Sequence, residues 1–362
     1  MAPSPSPWRE FEERSPALAA VAVGALATLA LVIADAFVRD AAQPPRGDEL
    51  IYERMADDPF GEHTFPFAYR LGVPLLVHVL PFGHEASFSA IAWLAGGGSA
   101  AILYVLLRRY EVRPWIAVAL GLALVLAPAM LLVSLRQGRN PDAVAVLAMF
   151  AGTLCVVDRR PRALAVVLLL GALVRETTLF LIPFAYAMWA RRAVDRDALR
   201  DVVLAAAPAL VAYAVVRWTV PTVGREHVLG YDKGLVAGRR EVLDAAADQA
   251  WEQTRRVAST FGPLWLCLPF ALRGMRFARA GLIVLGLTAA SCLFALDWGR
   301  ILFLAAPFVF VPGGWVLERH RRAAVAVLAA FAVMNVGYAV HMDRTGVVEG
   351  IDRAAPPPYP VR

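Results

Sequence analysis

Two adjacent carboxylates, Asp48 and Glu49, and four dispersed arginines, Arg136, Arg139, Arg175 and Arg300, are the residues of this chain best suited to chemistry. A carboxylate beside a hydroxyl can take its proton as the oxygen attacks. Guanidinium groups hold phosphate through paired, charge-assisted hydrogen bonds. Asp48 is the first candidate for such a base, with Glu49 in reserve. Both stand in "RGDELIYERMADDPFGEHTFPFAYR" (46–70), which also carries Tyr52 and Arg70. Arg136, Arg139 and Asp142 share "RQGRNPDA" (136–143). Arg175 and Glu176 sit in the middle of the otherwise apolar "LLLGALVRETTLFLIPFAYAMWARR" (168–192), and Asp297 and Arg300 belong to "LDWGR" (296–300).

Each piece also has a plainer account. Asn140 as N-cap, Pro141 in the first turn and Asp142 against the dipole make a good helix start. Asp297 suits the cap of the helix after it, and Arg175 and Glu176 can neutralise one another at a turn. Asp35 and Arg39 are four apart and suit a simple helical pair. His63, His78 and His84 lack metal-ligand spacing, and Cys155, Cys267 and Cys292 lie in apolar runs without a CxxC pair.

The elements that must position these residues are membrane helices. The 362 residues are 59% hydrophobic with a mean hydropathy of +0.56. Apolar runs of roughly 17–22 residues recur, the length of bilayer spans. The fold class expected is an all-α polytopic integral membrane protein. Its expected spans are 17–38, 86–107, 114–134, 141–157, 201–219, 257–272, 281–296, 301–317 and 323–341, with 163–190 as a special case. Trp115, Trp189, Trp218, Trp298 and Trp315 fall near span ends, as in an interfacial belt. The net charge of +6 is no nucleic-acid signal, because the arginines concentrate in short loops. Five basic clusters, around 108–113, 159–162, 191–200, 273–279 and 319–322, are expected on the cytoplasmic side.

That arrangement imposes two conditions. Segment 70–83, short and holding Pro74 and Pro81, must stay on the outer side as a shallow or re-entrant piece. Segment 163–190, basic at both flanks, must cross an even number of times, as two half-helices (163–174 and 177–190) turning at Arg175-Glu176. A single straight helix would instead bury Arg175 near the bilayer centre, at a cost of about 2.5–3.5 kcal/mol on insertion scales. The outcome is about eleven crossings with the N-terminus cytoplasmic. The chain then divides into a cytoplasmic segment 1–16, a transmembrane module 17–220 with an outer loop 39–85, a second outer loop 221–256, C-terminal helices 257–341 and a Pro-rich outer tail 342–362. Leu243, Ala246, Ala247, Ala250 and Trp251 follow a helical apolar stripe, as in an amphipathic surface helix.

In this topology the polar motifs all emerge on the outer face. Arginines at headgroup depth, the amides of a half-helix starting near Thr177 and an acidic base together suit displacement of a lipid-linked phosphate. A broken hairpin with buried charges also suits a transporter or flippase for a lipid or anionic solute. A non-catalytic membrane protein that keeps such turns for structure is a third option.

The order of motifs resembles the GT-C superfamily of polytopic glycosyltransferases. The resemblance is carried by "GDELIYERMA", "PFAYRLGVPLLVHVLPFG", "YVLLRRYEVRP", "RNPDAVAVLA" and "LLLGALVRETTLFLIPFAYA", over about the first 220 residues, with "LDWGRILFLAAP" as a further echo. It implies a bacterial inner-membrane enzyme that transfers a sugar, with inversion, from a polyprenyl-phosphate donor to a hydroxyl of a glycan, lipid or protein acceptor. Asp48 would be the base and Glu49 its neighbour. Arg175, Arg300, Arg139 and Arg136 would bind the donor phosphate, supported by Glu176, Asp297, Asp142, Tyr52 and Arg70. Some relatives need a divalent cation, Mg or Mn. The chain departs from larger members in showing no C-terminal soluble domain.

Overall fold

The computed structural model describes residues 12, 14–38, 48–64, 67–131, 134, 139–223, 244, 247, 248, 250–294 and 298–345. In chain order the helices are α1 (Pro16–Val38), α2 (Asp48–Asp57), α3 (Gly72–Val79), α4 (His84–Arg109), α5 (Pro114–Val125), α6 (Pro128–Leu131), α7 (Asp142–Val157), α8 (Pro161–Val174), α9 (Leu181–Trp189), α10 (Arg196–Thr219), α11 (Ala250–Phe261), α12 (Leu268–Gly274), α13 (Arg276–Ser291), α14 (Trp298–Phe303), α15 (Pro307–Arg319) and α16 (Arg321–Thr345). Tight 3₁₀ turns at Phe67–Tyr69, Glu176–Phe180, Gly262–Cys267 and Cys292–Phe294 join or extend them. Among the described residues the regular structure is thus all helical apart from a two-residue parallel pairing of β1 (His63–Thr64) with β2 (Thr222–Val223). Among the described residues α1, α4 and α10 are long and apolar enough to cross a membrane, which points to a membrane protein.

Proline and glycine account for most departures from the expected spans. The run 114–134 is interrupted because Pro128 has no N–H to continue the ladder of α5, and it opens α6 instead. The run 257–272 begins earlier, as α11, and then tightens at Gly262 (φ +49°) and Pro263 before α12. The run 301–317 is likewise two pieces, α14 and α15, with Pro307 in the first turn of the second. Helix α7 starts at Asp142 rather than Pro141, and the Asn140 side-chain oxygen accepts from the Asp142 backbone N–H at 3.0 Å. Of the expected surface helix over 243–251, residues 244, 247, 248, 250 and 251 are described, all helical, and Trp251, at the start of α11, is 79% exposed.

Segment 161–189 leaves one end of the bundle and returns to it. Arg159 Nη2 donates to Trp189 O at 3.1 Å, and Trp189 Nε1 donates to Val156 O at 2.9 Å. Its turn is the extended residue Arg175, from which the chain re-coils as the 3₁₀ turn 176–180 and then α9. Gly171 permits this reversal: a Cβ there would lie 2.8 Å from Thr178 Cγ2.

The five basic clusters meet at one end of the bundle. Arg109 Nε pairs with Asp158 at 3.2 Å, Arg113 Nε with Glu318 at 3.1 Å, and Arg276 Nη2 donates to Ala187 O at 3.0 Å. Arg319 stacks on Trp315, whose ring also covers Gly274. Glu12 joins this end through Arg108 and Tyr104. Asp195 caps α10, and the Arg191 and Ala198 backbone N–H groups, Arg191 foremost, hold its carboxyl below the usual carboxylate range. The opposite end gathers α2, α3, the Arg175 turn and β1–β2. Helix α3 stays at that end, with Gly72 against Leu173 and Val174 and, after it, His84 beside Asp57.

Helices α1 and α4 cross in backbone contact at Gly24 and Gly97. A Cβ on Gly97 would sit 2.7 Å from Gly24 O and 2.0 Å from Thr28 Oγ1. The carbonyl cannot yield as a flexible side chain would. Gly97→Leu should therefore lower stability by roughly 1–3 kcal/mol or more, as overpacking does. The check is a melting curve of the purified variant against Gly286→Leu, whose Cβ meets nothing within 4 Å; an equal loss in both would refute the close crossing.

Candidate functional site

The centre of the polar end is one carboxylate held by two arginines. Asp142, in the first turn of α7, is 1% exposed. Its Oδ1 is ion-paired with Arg175 Nη1, and its Oδ2 lies 3.1 Å from Arg300 Nε. The Arg175 side chain is buried at 7% exposed, and that of Arg300 is largely covered at 12%. Local backbone explains the convergence. Asn140 turns the chain into α7 so that Asp142 opens it. The break after α8 projects Arg175 from an extended residue, and α14 carries Arg300 on its first turn after Trp298.

A second cluster is joined to the first through the Arg175–Glu176 peptide. Arg70 grips Glu176 with Nη2 to Oε1 at 3.0 Å and Nε to Oε2 at 3.4 Å, and Arg70 Nη1 donates to the Tyr52 hydroxyl at 3.0 Å. Arg175 and Glu176 therefore do not neutralise one another at the turn. Each is taken by a distant partner, Asp142 for the arginine and Arg70 for the glutamate. Phe67 lies under the Arg70 guanidinium, 5.5 Å from it, and edge-on to Tyr52.

Donors remain open at this centre. Arg175 Nε and the Thr177 hydroxyl are buried with no hydrogen-bond partner among the described residues. Leaving such groups unpaired costs about 1–3 kcal/mol each, more for a charged one. A ligand with several acceptor oxygens and negative charge would satisfy both.

The remaining candidates divide clearly. Arg139 is not part of this centre: it stands between Glu53 and Glu85, at 3.8 and 3.5 Å. Glu49 is half-buried on the first turn of α2. Asp48 begins α2, one turn before Tyr52, but its side chain lies outside the description. Arg136 and Asp297 also fall outside the described residues. Among the described residues no three His, Cys, Asp or Glu side chains form a metal-holding group. His63 and His78 face the backbone carbonyls of Asp58 and Ala56 at 2.6 and 2.8 Å. Two features had no sequence signal strong enough to single them out. Arg217 is stacked on Tyr69 and Tyr213 at 4.6 and 4.4 Å, and Glu53, Glu85 and Trp93 line a cavity with Arg139.

Asp142→Asn removes the carboxylate from between two largely covered guanidiniums. It should destabilise the protein by roughly 3–5 kcal/mol, the usual result of breaking a buried pair. Glu85→Gln, at a carboxylate whose side chain is 54% exposed, should cost no more than ~1 kcal/mol. Thermal unfolding in lipid nanodiscs measures both, and equal melting temperatures for the two variants would contradict the central role of Asp142.

No protein-family model matches the chain, and no curated protein matches it significantly.

Proposed function

We propose that this protein is a membrane glycosyltransferase of the GT-C type, which transfers a sugar from a polyprenyl-phosphate donor to an acceptor hydroxyl. The observation that carries the reading is the Arg175–Asp142–Arg300 cluster, buried at the end of the bundle away from the basic turns. Short basic loops mark a cytoplasmic face. The cluster then belongs to the outer face of the bacterial inner membrane, with the N-terminus in the cytoplasm. The alternating direction of the helices between the two ends supports about eleven crossings.

In the proposed reaction the donor phosphate lies against Arg175 and Arg300. Arg175 Nε and the Thr177 hydroxyl, both without a hydrogen-bond partner among the described residues, supply hydrogen bonds to its oxygens. Asp142 fixes the two guanidiniums in place and limits their repulsion. Asp48 takes the proton from the acceptor hydroxyl. The acceptor oxygen forms a bond to the anomeric carbon from the face opposite the phosphate. The bond from that carbon to the phosphate oxygen breaks, and polyprenyl phosphate leaves with the electron pair. The anomeric configuration inverts. Arg70, fixed by Glu176 and Tyr52, ties helix α2 to the turn that carries Arg175.

Two experiments test this. Arg175→Ala should weaken polyprenyl-phosphate binding by at least roughly tenfold, the value of one charge-assisted hydrogen bond, and Asp48→Asn should abolish transfer with binding unchanged; unaltered affinity or unaltered turnover would remove the respective role. For sidedness, single cysteines in place of Phe60 and Arg192 in a background lacking Cys155, Cys267 and Cys292 suit a membrane-impermeant maleimide, since both positions are exposed. Intact cells should label only position 60. Labelling of position 192 alone would invert the proposed orientation.

A further inference from the structure

Arg217 differs from the arginines of the ionic centre. It lies in the last turn of α10, at the end of the bundle that holds β1–β2, and it is half-buried. Its guanidinium carbon sits 4.6 Å from the Tyr69 ring centre and 4.4 Å from that of Tyr213, inside the ~6 Å reach of a cation–π contact. Two elements fix this cage. Tyr213 stands one helical turn before Arg217, and Tyr69 closes the 3₁₀ turn 67–69. The pairing of His63–Thr64 with Thr222–Val223 ties the two segments together. Arg70, Arg175 and Arg300 each meet an acid. Among the described residues Arg217 has neither an ion pair nor a hydrogen bond. Ring faces attract the cation but leave the N–H groups along its edge without acceptors. Its Nε is buried, whereas Nη1 and Nη2 keep accessible surface. An anion arriving from outside the bundle can reach those two nitrogens.

What lies outside is set by α10. Arg196 at its start and Arg217 near its end are 21 residues apart, about 32 Å at a rise of ~1.5 Å per residue. That matches the ~30 Å hydrocarbon core of a bilayer. With Arg196 among the basic turns at one surface, Arg217 comes to headgroup depth at the other. Leu204, Val211, Val215 and Trp218 follow one another at helical spacings along one stripe of α10, and all four are exposed. The stripe is ~21 Å long, more than the ~15 Å that one leaflet contributes to the core. Trp218 at its top suits the interface. Acyl chains therefore run along the stripe, and the headgroup above them stands beside Arg217.

We propose that Arg217 and the stripe below it bind one anionic glycerophospholipid of the leaflet at that end, which is the outer leaflet in the orientation proposed above. The phosphate oxygens accept from Nη1 and Nη2 in charge-assisted bonds, and one acyl chain lies along Val215, Val211 and Leu204. A zwitterionic lipid binds less tightly, because its own ammonium competes for the phosphate. A soluble phosphate binds less tightly, because it gains nothing from the apolar stripe. The inference rests on α10 crossing the membrane and not on the glycosyl-transfer reading, since Arg217 is no part of the Arg175–Asp142–Arg300 cluster. Tyr69 immediately precedes Arg70, so the bound lipid also braces the turn that grips Glu176.

Native mass spectrometry of the full chain, titrated with phosphatidylglycerol, phosphatidylcholine or inorganic phosphate, tests it. The first phosphatidylglycerol should bind several-fold more tightly than the first phosphatidylcholine. In Arg217→Gln its affinity should fall roughly tenfold, the value of one charge-assisted hydrogen bond, and the preference between the two lipids should vanish. Arg192→Gln, at an exposed arginine of the basic end, should leave that affinity unchanged. Arg217→Lys keeps the charge but not the paired donors; it should bind with intermediate affinity, and it keeps the test decisive should Arg217→Gln fold poorly. Excess inorganic phosphate should not displace the lipid. Equal phosphatidylglycerol affinity in the wild type and the Arg217 variants would overturn the proposal. So would displacement by inorganic phosphate, which would leave a simple anion site, or a lipid-free dimer, which would give the stripe to a second copy of the chain. Polyprenyl-phosphate binding by Arg217→Gln should match the wild type, so failure of this site and failure of the arginine centre are read separately.

Discussion

One buried carboxylate organises the polar end of this bundle. Asp142 is all but inaccessible, and it engages two guanidiniums from segments far apart in the chain. A charged group at that depth is tolerated only with a close counter-charge. The first turn of α7, the break after α8 and the start of α14 must therefore come together, or each ion is stranded. The same constraint explains why α8 ends where it does. Its fold-back places Arg175 against Asp142 and leaves Glu176 to Arg70, so the turn is stitched to two partners.

The two ends of the bundle are built from different electrostatics. At the basic end the arginines serve backbone carbonyls and single acids, as with Arg159 on Trp189 O and Arg109 on Asp158. Those contacts are half-exposed and individually weak. At the other end ions are buried, shared between partners and accompanied by unsatisfied donors such as Arg175 Nε and Thr177 Oγ1.

Much of this arrangement was legible in the residue order. Basic flanks on both sides of 163–190 demanded an even number of crossings, and the chain does return to its starting end beside Trp189. The turns carrying Arg175, Asp142 and Arg300 were assigned to one side, but Asp48 was the acid expected beside the two arginines, and Asp142, which suited a helix start, is the one found between them. What escaped were partners and local breaks. Nothing in sequence spacing separates Glu176 from its neighbour Arg175 and gives it to Arg70, because that choice is made by the packing of the loop after α2. Arg139 looked like a fourth phosphate ligand by residue type, yet Glu53, in the second turn of α2, and Glu85, in the first turn of α4, pair with it. Pro128 and Gly262 interrupted runs that hydropathy alone joined, since apolarity measures where a segment sits and not whether its ladder is continuous.

The glycine crossing of α1 and α4 reaches beyond the helices it joins. Where two backbones touch, as Gly24 and Gly97 do, no hydrocarbon tail can wedge between them. That flank of the protein is a sealed seam between α1 and α4. A lipid-linked donor of the kind proposed would have to reach the arginine centre along some other gap in the helical wall, a restriction set by two residues with no side chain.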